Sequence, residues 1–313
     1  MLTYRFRIAL ALLAALLLTP PATAAAADKE AFASATEAYR QGLEALTAGK
    51  TDKAIAALSF AADGGVMGAG LKLAEMFATG RGVEKNPSRA FEYYRAIADR
   101  YADISPRHPI AGNVAKAFVA LAGYYRTGIE QRGLSPNASH AARLLHHAAS
   151  YFGDGEAQYQ LARMYLTGEG MNRNTRLAVN WLANAARKQH AGSQALLGDL
   201  LWRGIDDVER QPLKGLALLS MARKNAAGSD DAEWIEEVVS RAMTEAEPGE
   251  RELAGKLFDR WRGPGEAAPN VVSAPVLPGE TAALESLAAN PILPVEAKTS
   301  AAAPPPAAAQ PPR

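Results

Sequence analysis

The chain has 313 residues, of which 48% are hydrophobic, 21% charged and only 7% aromatic, and at about 150 residues per domain it is long enough for about two. Lys+Arg 34 against Asp+Glu 33 leaves a formal charge of +1, which is neither the basic footprint of a nucleic-acid binder nor the acidity of a solvating chain. Cysteine is absent, which excludes disulfide frameworks, Cys-ligated zinc, iron–sulfur clusters, thiol nucleophiles and lipid attachment through Cys.

Residues 1–27 read as a secretory signal peptide. Arg5 and Arg7 supply the positive start, and Ile8 to Leu18 is an apolar run of eleven residues, well short of the roughly 20 that a spanning helix needs. Pro20 and Pro21 then break the helix ahead of the small-residue sites Ala22-Thr23-Ala24 and Ala25-Ala26-Ala27. No later segment is long and apolar enough to span a bilayer. The expectation is an exported protein, periplasmic in a Gram-negative source, with no stable membrane insertion after cleavage.

Residues 28–68 carry two short helical patterns, Ala38-Tyr39-x-x-Gly42-x-x-Ala45 and Gly49-Lys50-x-x-x-Ala54-x-x-x-Leu58-x-x-Ala61. Residues 69–229 then repeat themselves. Leu73-Ala74-x-x-Phe77-x-x-Gly80 returns as Leu121-Ala122-x-x-Tyr125-x-x-Gly128, Leu161-Ala162-x-x-Tyr165-x-x-Gly168 and Leu197-Gly198-x-x-Leu201-x-x-Gly204. A second stretch follows each: Ala90-x-x-Tyr93-Tyr94, Ala141-x-x-Leu144-Leu145, Ala178-x-x-Trp181-Leu182 and, more weakly, Gly215-x-x-Leu218-Leu219. The turn glycines are 48, 40 and 36 residues apart, so one connection holds an insertion, Tyr101–Asn113.

The leucine, the small residue after it and the large residue four positions on share one helix face, and the small residue permits close helix approach. Gly80, Gly128, Gly168 and Gly204 stand where each helix must end, as structural turns. A hairpin of this kind cannot cover its own apolar face, so hairpins must stack. Residues 230–262 (Trp234–Ala242 and Glu250–Trp261) read as closing helices. Residues 263–313 hold 11 of the 19 prolines and no aromatic residue, and are predicted to be a disordered Ala/Pro-rich tail.

The repeated pattern resembles the Sel1-like repeat, a relative of the tetratricopeptide repeat, from about Ala69 to Asn225, with residues 28–68 similar to a tetratricopeptide-type opening hairpin. The resemblance implies an all-α, right-handed solenoid of stacked helical hairpins. Within that family, Val119-Ala120-Leu121-Ala122-Gly123-Tyr124-Tyr125-Arg126-Thr127-Gly128-Ile129 and Tyr151-Phe152-Gly153-x-Gly155-Glu156-Ala157-Gln158-Tyr159-Gln160-Leu161-Ala162-Arg163-Met164 resemble the ExoR-like exported regulators of alphaproteobacteria. That resemblance implies a periplasmic protein whose partners are the periplasmic domain of a membrane sensor histidine kinase, held inactive, and a periplasmic protease that relieves the inhibition. Exopolysaccharide production and motility are the programmes affected. The alternative is a periplasmic scaffold for envelope or polysaccharide-export assembly.

Motifs for chemistry are missing. No His-Glu-x-x-His, Gly-x-Ser-x-Gly or complete phosphate loop Gly-x-x-x-x-Gly-Lys-Ser/Thr occurs. Gly80-x-Gly82 and Gly168-x-Gly170 follow helices and read as helix-ending turns. Asp206-Asp207 and Asp230-Asp231 read as a solvated loop and a helix start. Asn137-Ala138-Ser139 matches a glycosylation sequon, with Ser139 read as N-cap of a helix starting at His140. No catalytic residue, metal ligand or cofactor is expected, and the oligomeric state is left open.

A binding face is expected instead. Positions −2, +2 and +5 from each anchor leucine lie roughly opposite the packed face, and in tetratricopeptide-like solenoids that side lines the concave groove. The positions are Leu71, Glu75 and Ala78, then Val119, Gly123 and Arg126, then Tyr159, Arg163 and Leu166, and finally Ala195, Asp199 and Trp202. Arg, Tyr and Trp are common interface anchors, so Arg126, Tyr159, Arg163 and Trp202, with Lys116 and Arg203 beside them, are the expected partner contacts. His140, Arg143 and His147 fall on one stripe at i, i+3 and i+7, expected to face outward and to sense acid through His140 and His147. The insertion Tyr101–Asn113 is expected to be a protease target.

Overall fold

A computed structural model describes residues 32–206 and 208–262. The signal-peptide expectation for residues 1–27 and the tail expectation for 263–313 fall outside the described residues, as does Asp207. Among the described residues there are twelve α-helices and no β-strand, only two isolated bridges, Ile129–Leu134 and Ile205–Val208. The expected all-α stack of hairpins is what these residues form. Two compact units divide at Tyr93/Tyr94.

The first unit holds α1 (Ala35–Thr47), α2 (Thr51–Asp63), α3 (Met67–Thr79) and the start of α4 (Pro87–Tyr101). Ser34 opens α1 by accepting the Glu37 N–H on its hydroxyl. Gly42 lets α1 and α2 touch, since a Cβ there would stand 2.8 Å from the Leu58 side chain. Phe77 closes α3 by stacking on Tyr93, 6.3 Å between centroids, with the Arg89 guanidinium 4.0 Å from the Phe77 ring centre.

The second unit continues through α5 (Ala111–Thr127), α6 (Ala138–Ser150), α7 (Gly155–Thr167), α8 (Thr175–Arg187), α9 (Ala191–Arg203), α10 (Pro212–Asn225), α11 (Ala232–Glu245) and α12 (Pro248–Arg262). From α5 to α11 each helix packs on the next, and α12 returns to α10. The anchor residues Leu121, Leu144, Leu145, Leu161, Leu182 and Leu197 are fully buried; burial of each contributes roughly 1.5–3 kcal/mol.

The hairpins close in one recurring way. The N–H of the residue before the second helix donates to the carbonyl of the anchor aromatic or its equivalent: Asn86 to Phe77, Asn137 to Tyr125, Asn174 to Tyr165 and Gln211 to Leu201, at 2.5–2.9 Å. In the first three the asparagine side chain also caps the helix it precedes, accepting the N–H of Arg89, His140 and Leu177. The cap of α6 is therefore Asn137, not Ser139, and the helix starts at Ala138. Ser139 lies inside the first turn and donates its hydroxyl to the Gly170 carbonyl at 2.9 Å. The turns between come in two forms. Gly80 and Gly168, each followed by a second glycine, are left-handed. Gly128 and Gly204, each followed by Ile, combine positive φ with extended ψ and lead into the short bridges.

Buried glutamines hold successive hairpins in register. Gln158 donates to the Ala149 carbonyl and Gln194 to the Ala186 carbonyl, both at 3.1 Å, satisfying carbonyls at the ends of α6 and α8. Their own oxygens accept from Lys188 and Asn225. The weak fourth repeat has its own logic. Where the others pair Ala with Ala, it pairs Gly198 with Gly215, and a Cβ on Gly215 would sit 2.6 Å from the Trp202 nitrogen and 2.8 Å from the Gly198 carbonyl.

Candidate partner-binding face

The −2, +2 and +5 positions of the second unit separate into an open part and a covered part. On α5, Lys116, Val119, Gly123 and Arg126 form a stripe at helical spacing; Lys116 is exposed and the other three are half-buried. On α7, Tyr159 and Leu166 are half-buried and Arg163 is exposed. On α9, Ala195, Asp199 and Trp202 are all buried.

Helix α11 is what covers α9. Ile235, Val239 and Ala242, at i, i+4 and i+7, share one apolar cluster with Ala195 and Trp202 of α9 and with Leu216, Leu219 and Ala222 of α10. Arg241 of α11 reaches Asp199 at 3.6 Å, and Asp199 is also held by Arg203 from its own helix. The Arg210 guanidinium stands 4.8 Å from the Trp202 ring centre and donates to the Trp202 carbonyl. Trp202 is thus a core residue of the cluster shared by α9, α10 and α11 rather than the open-surface contact expected of it. Its exposure of 6% follows from the chain supplying its own helix at that point.

Arg126 is also committed. Its Nε and Nη2 donate to the two carboxylate oxygens of Glu169, each at 2.7 Å, tying the end of α5 to the turn after α7. That pairing holds the Glu169 carboxyl below its usual range and raises the guanidinium. Tyr159 packs against the His190 ring at 5.1 Å and Gly192, while burial pushes its hydroxyl pKa upward. His190 in turn holds Glu156 at 2.9 Å and lowers its carboxyl pKa. The Arg163 guanidinium lies 5.6 Å from the Tyr159 ring centre, and among the described residues no carboxylate is within salt-bridge distance of it. Of the six expected contacts, Lys116 and Arg163 are open cations, Tyr159 is partly available, Arg126 and Arg203 are paired, and Trp202 is buried.

The histidine stripe does not face outward. His140 is 2% exposed, with its ring centre 4.2 Å from that of Tyr125. His140 sits in the first turn of α6 and packs against Tyr125 of α5, the other helix of its own hairpin. Arg143 donates to its Nδ1 at 2.7 Å, and Nε2 has no partner. Burial, with Arg143 adding to it, lowers the His140 pKa to about 4. His147 is half-buried among Phe118, Tyr151 and Phe152 and donates from Nε2 to the Ala102 carbonyl at 3.0 Å. Tyr151 donates to the Asp103 carbonyl, so the start of the insertion is anchored while Ser105–Pro109 is exposed.

Elsewhere Asp206 and Asp231 act as structural acceptors. Asp206 accepts from Arg173 and Thr175, and Asp231 accepts from the Trp234 indole at the start of α11. Among the described residues no group of three or more His, Asp or Glu could hold a metal ion, and no helix is long and apolar enough to cross a membrane.

Comparison with known proteins agrees with this architecture. The Sel1 repeat model matches residues 71–100, 116–150, 155–190 and 191–225. The chain is 35% identical over 216 residues, 69% of its length and 78% of the relative's, to the exopolysaccharide production negative regulator of Rhizobium meliloti (strain 1021). It is 33% identical over 219 residues, 70% of its length and 79% of the relative's, to the protein of the same description from Rhizobium leguminosarum bv. viciae. Among solved structures, a protective antigen of uropathogenic Escherichia coli displaying an SLR fold aligns with a TM-score of 0.58 at 22% identity. That alignment covers 85% of this chain and about half of the antigen, 51%, and speaks to the fold alone. The four matched repeats and the identity across most of both rhizobial relatives place the chain in the Sel1-repeat family to which those exopolysaccharide production negative regulators belong.

Proposed function

We propose that this protein is a non-enzymatic, exported negative regulator of exopolysaccharide production that acts by binding the periplasmic domain of a membrane sensor histidine kinase and holding it inactive. The observation that carries the reading is the identity to the two rhizobial regulators across more than two thirds of each chain. Stacked repeats with an open face on α5 and α7 support a binding role. Proteolysis relieves the inhibition in this reading, and the exposed Ser105–Pro109 segment between α4 and α5 is the proposed cleavage region. Motility is the second programme under the same kinase.

The test is a pull-down of the exported chain against the periplasmic domains of the source organism's sensor kinases, paired with deletion of its gene. Selective capture of one kinase domain, and raised exopolysaccharide on deletion, is the expected result. Capture of export-complex proteins with loss of secretion on deletion would replace the regulator by the scaffold.

A further inference from the structure

The covered part of the α5–α7–α9 face shows how the open part works. On α9 the three positions receive α11, an amphipathic helix that inserts Ile235, Val239 and Ala242 and lays Arg241 against Asp199. Spacing at i, i+4 and i+7 is the mode by which a groove takes a helix. One hairpin earlier the same positions are half-open, and the charge is reversed: Arg163 stands at the repeat position of Asp199. Lys116 supplies a second exposed cation on the α5 stripe. Gly123 stands two turns along α5 from Lys116 with nothing within 4 Å of where a Cβ would be, and Val119, Tyr159 and Leu166 provide apolar surface. The Arg126–Glu169 bridge joins α5 to the α7 turn, and Tyr159 packs on Gly192 at the start of α9, where a Cβ would stand 3.2 Å from its ring, so the open face adjoins the helix that α11 covers.

We infer that the Lys116–Gly123–Tyr159–Arg163 face binds an amphipathic helix of a partner protein, with aliphatic residues at i, i+4 and i+7 and a carboxylate where α11 carries Arg241. The surface is continuous with an interface the chain already makes with itself. Its two exposed cations, Lys116 and Arg163, the latter also acting on Tyr159, Glu156 and Glu169 but in no salt bridge among the described residues, choose an acidic guest where α9 chose a basic one. This rests on the binding role proposed above and names its ligand class.

The experiment uses the full exported chain and two synthetic peptides of residues 230–246, one native and one with R241E, followed by fluorescence anisotropy. The R241E peptide should bind saturably and at least fivefold more tightly than the native peptide, and its binding should weaken with added salt. R163E and G123W should each weaken it tenfold or more while the far-ultraviolet spectrum and melting temperature stay near wild type. R163E alters an exposed side chain, so it decides the question even if G123W fails to fold. Absence of saturable binding, equal binding of both peptides, or indifference to R163E would overturn the inference. The same variants go into the kinase-domain pull-down. Kinase capture untouched by R163E and G123W, with no peptide binding, overturns this inference and leaves the regulator reading standing. Peptide binding with the stated dependence, but no kinase capture, does the reverse.

Discussion

The Arg126 guanidinium and the Glu169 carboxylate meet in a two-pronged hydrogen bond, 2.7 Å at each prong, across a sequence separation of 43 residues. It is a staple between hairpins, and it accounts for Arg126 being unavailable to a partner.

Both side chains are about one-third exposed, 31% and 34%, so solvent screening limits the pair to about 1 kcal/mol at neutral pH. Arg126→Ala and Glu169→Ala should each cost about that much, and the double variant should cost little more than either. Glu169 has its carboxyl pKa lowered in the fold. The contribution is therefore present above the unfolded carboxylate value of about 4.3 and is lost as pH falls through the lower folded value. Urea denaturation of the four chains at pH 7 and at pH 3.5, at low and high salt, checks this. Additive losses at pH 7 would show that the two residues act separately.

Trp202 and Arg163 both stand on the expected contact side of a repeat's first helix, at +5 and +2 from its anchor leucine, yet the fold gives them opposite roles. Trp202→Ala should lower stability by about 3–5 kcal/mol, because it opens a cavity between α9, α10 and α11. Arg163→Ala should stay within about 0.5 kcal/mol of wild type. Chemical denaturation distinguishes them. A triple alanine variant that includes Trp202 would lose partner binding by unfolding, which makes Arg163 and Gly123 the informative positions.

The hairpins were legible in sequence because each rests on a local rule: an anchor leucine, a small neighbour and a glycine where the helix ends. Residues such as Asn86, Asn137 and Asn174 could also have been read there, since each stands four positions before the repeated alanine of a second helix (Ala90, Ala141, Ala178) and caps that helix. What no single-repeat pattern could disclose was which faces a neighbour covers. Asp199 and Trp202 occupy the same register as Arg163 and Leu166, and only the return of α11 separates buried from open. His140 misled for a related reason. It stands in the first turn of α6, where Tyr125 of α5 covers it, a contact across the hairpin that spacing within one helix does not show.

The glycines of the fourth repeat and the turns make a graded series. A Cβ on Gly198 or Gly215 meets backbone at 2.6–2.9 Å, so Gly215→Ala should cost about 1–3 kcal/mol by overpacking the α9–α10 crossing. Gly128 combines φ 76° with ψ 172°, and a Cβ there would stand 2.6 Å from the Leu134 carbonyl. Gly128→Ala should therefore exceed Gly168→Ala, whose left-handed backbone costs roughly 1–2 kcal/mol with only ordinary contact around it. Gly123→Ala has open space and a helical backbone, and should stabilise by up to about 1 kcal/mol. Midpoints of urea unfolding order the four; a harmless Gly215→Ala would contradict the close crossing.

His140 gives a pH dependence with a definite sign. A guanidinium only donates, so Nδ1 must accept from Arg143, and the buried ring is neutral with its proton on Nε2. Protonating Nδ1 would set a cation against Arg143 inside the packed edge of α6, which is why the folded pKa falls to about 4. His146 and His147 are lowered in the same direction, mainly by burial. A histidine whose folded pKa lies below its unfolded value of about 6.5 binds more protons when unfolded. The stabilisation is full above that value and drains away as pH falls toward 4, by on the order of 3 kcal/mol for His140 at about 1.4 kcal/mol per pH unit. Carboxylates with lowered values, Glu156 and Glu169 among them, lose their contribution only below about pH 4.3. The window from pH 6.5 to 4.5 therefore isolates the histidines. Wild type should lose melting temperature steadily across it, and His140→Gln should flatten that slope, with His140→Gln/His147→Gln flattening it further. An unchanged slope in the double variant would remove these rings as the source of acid sensitivity.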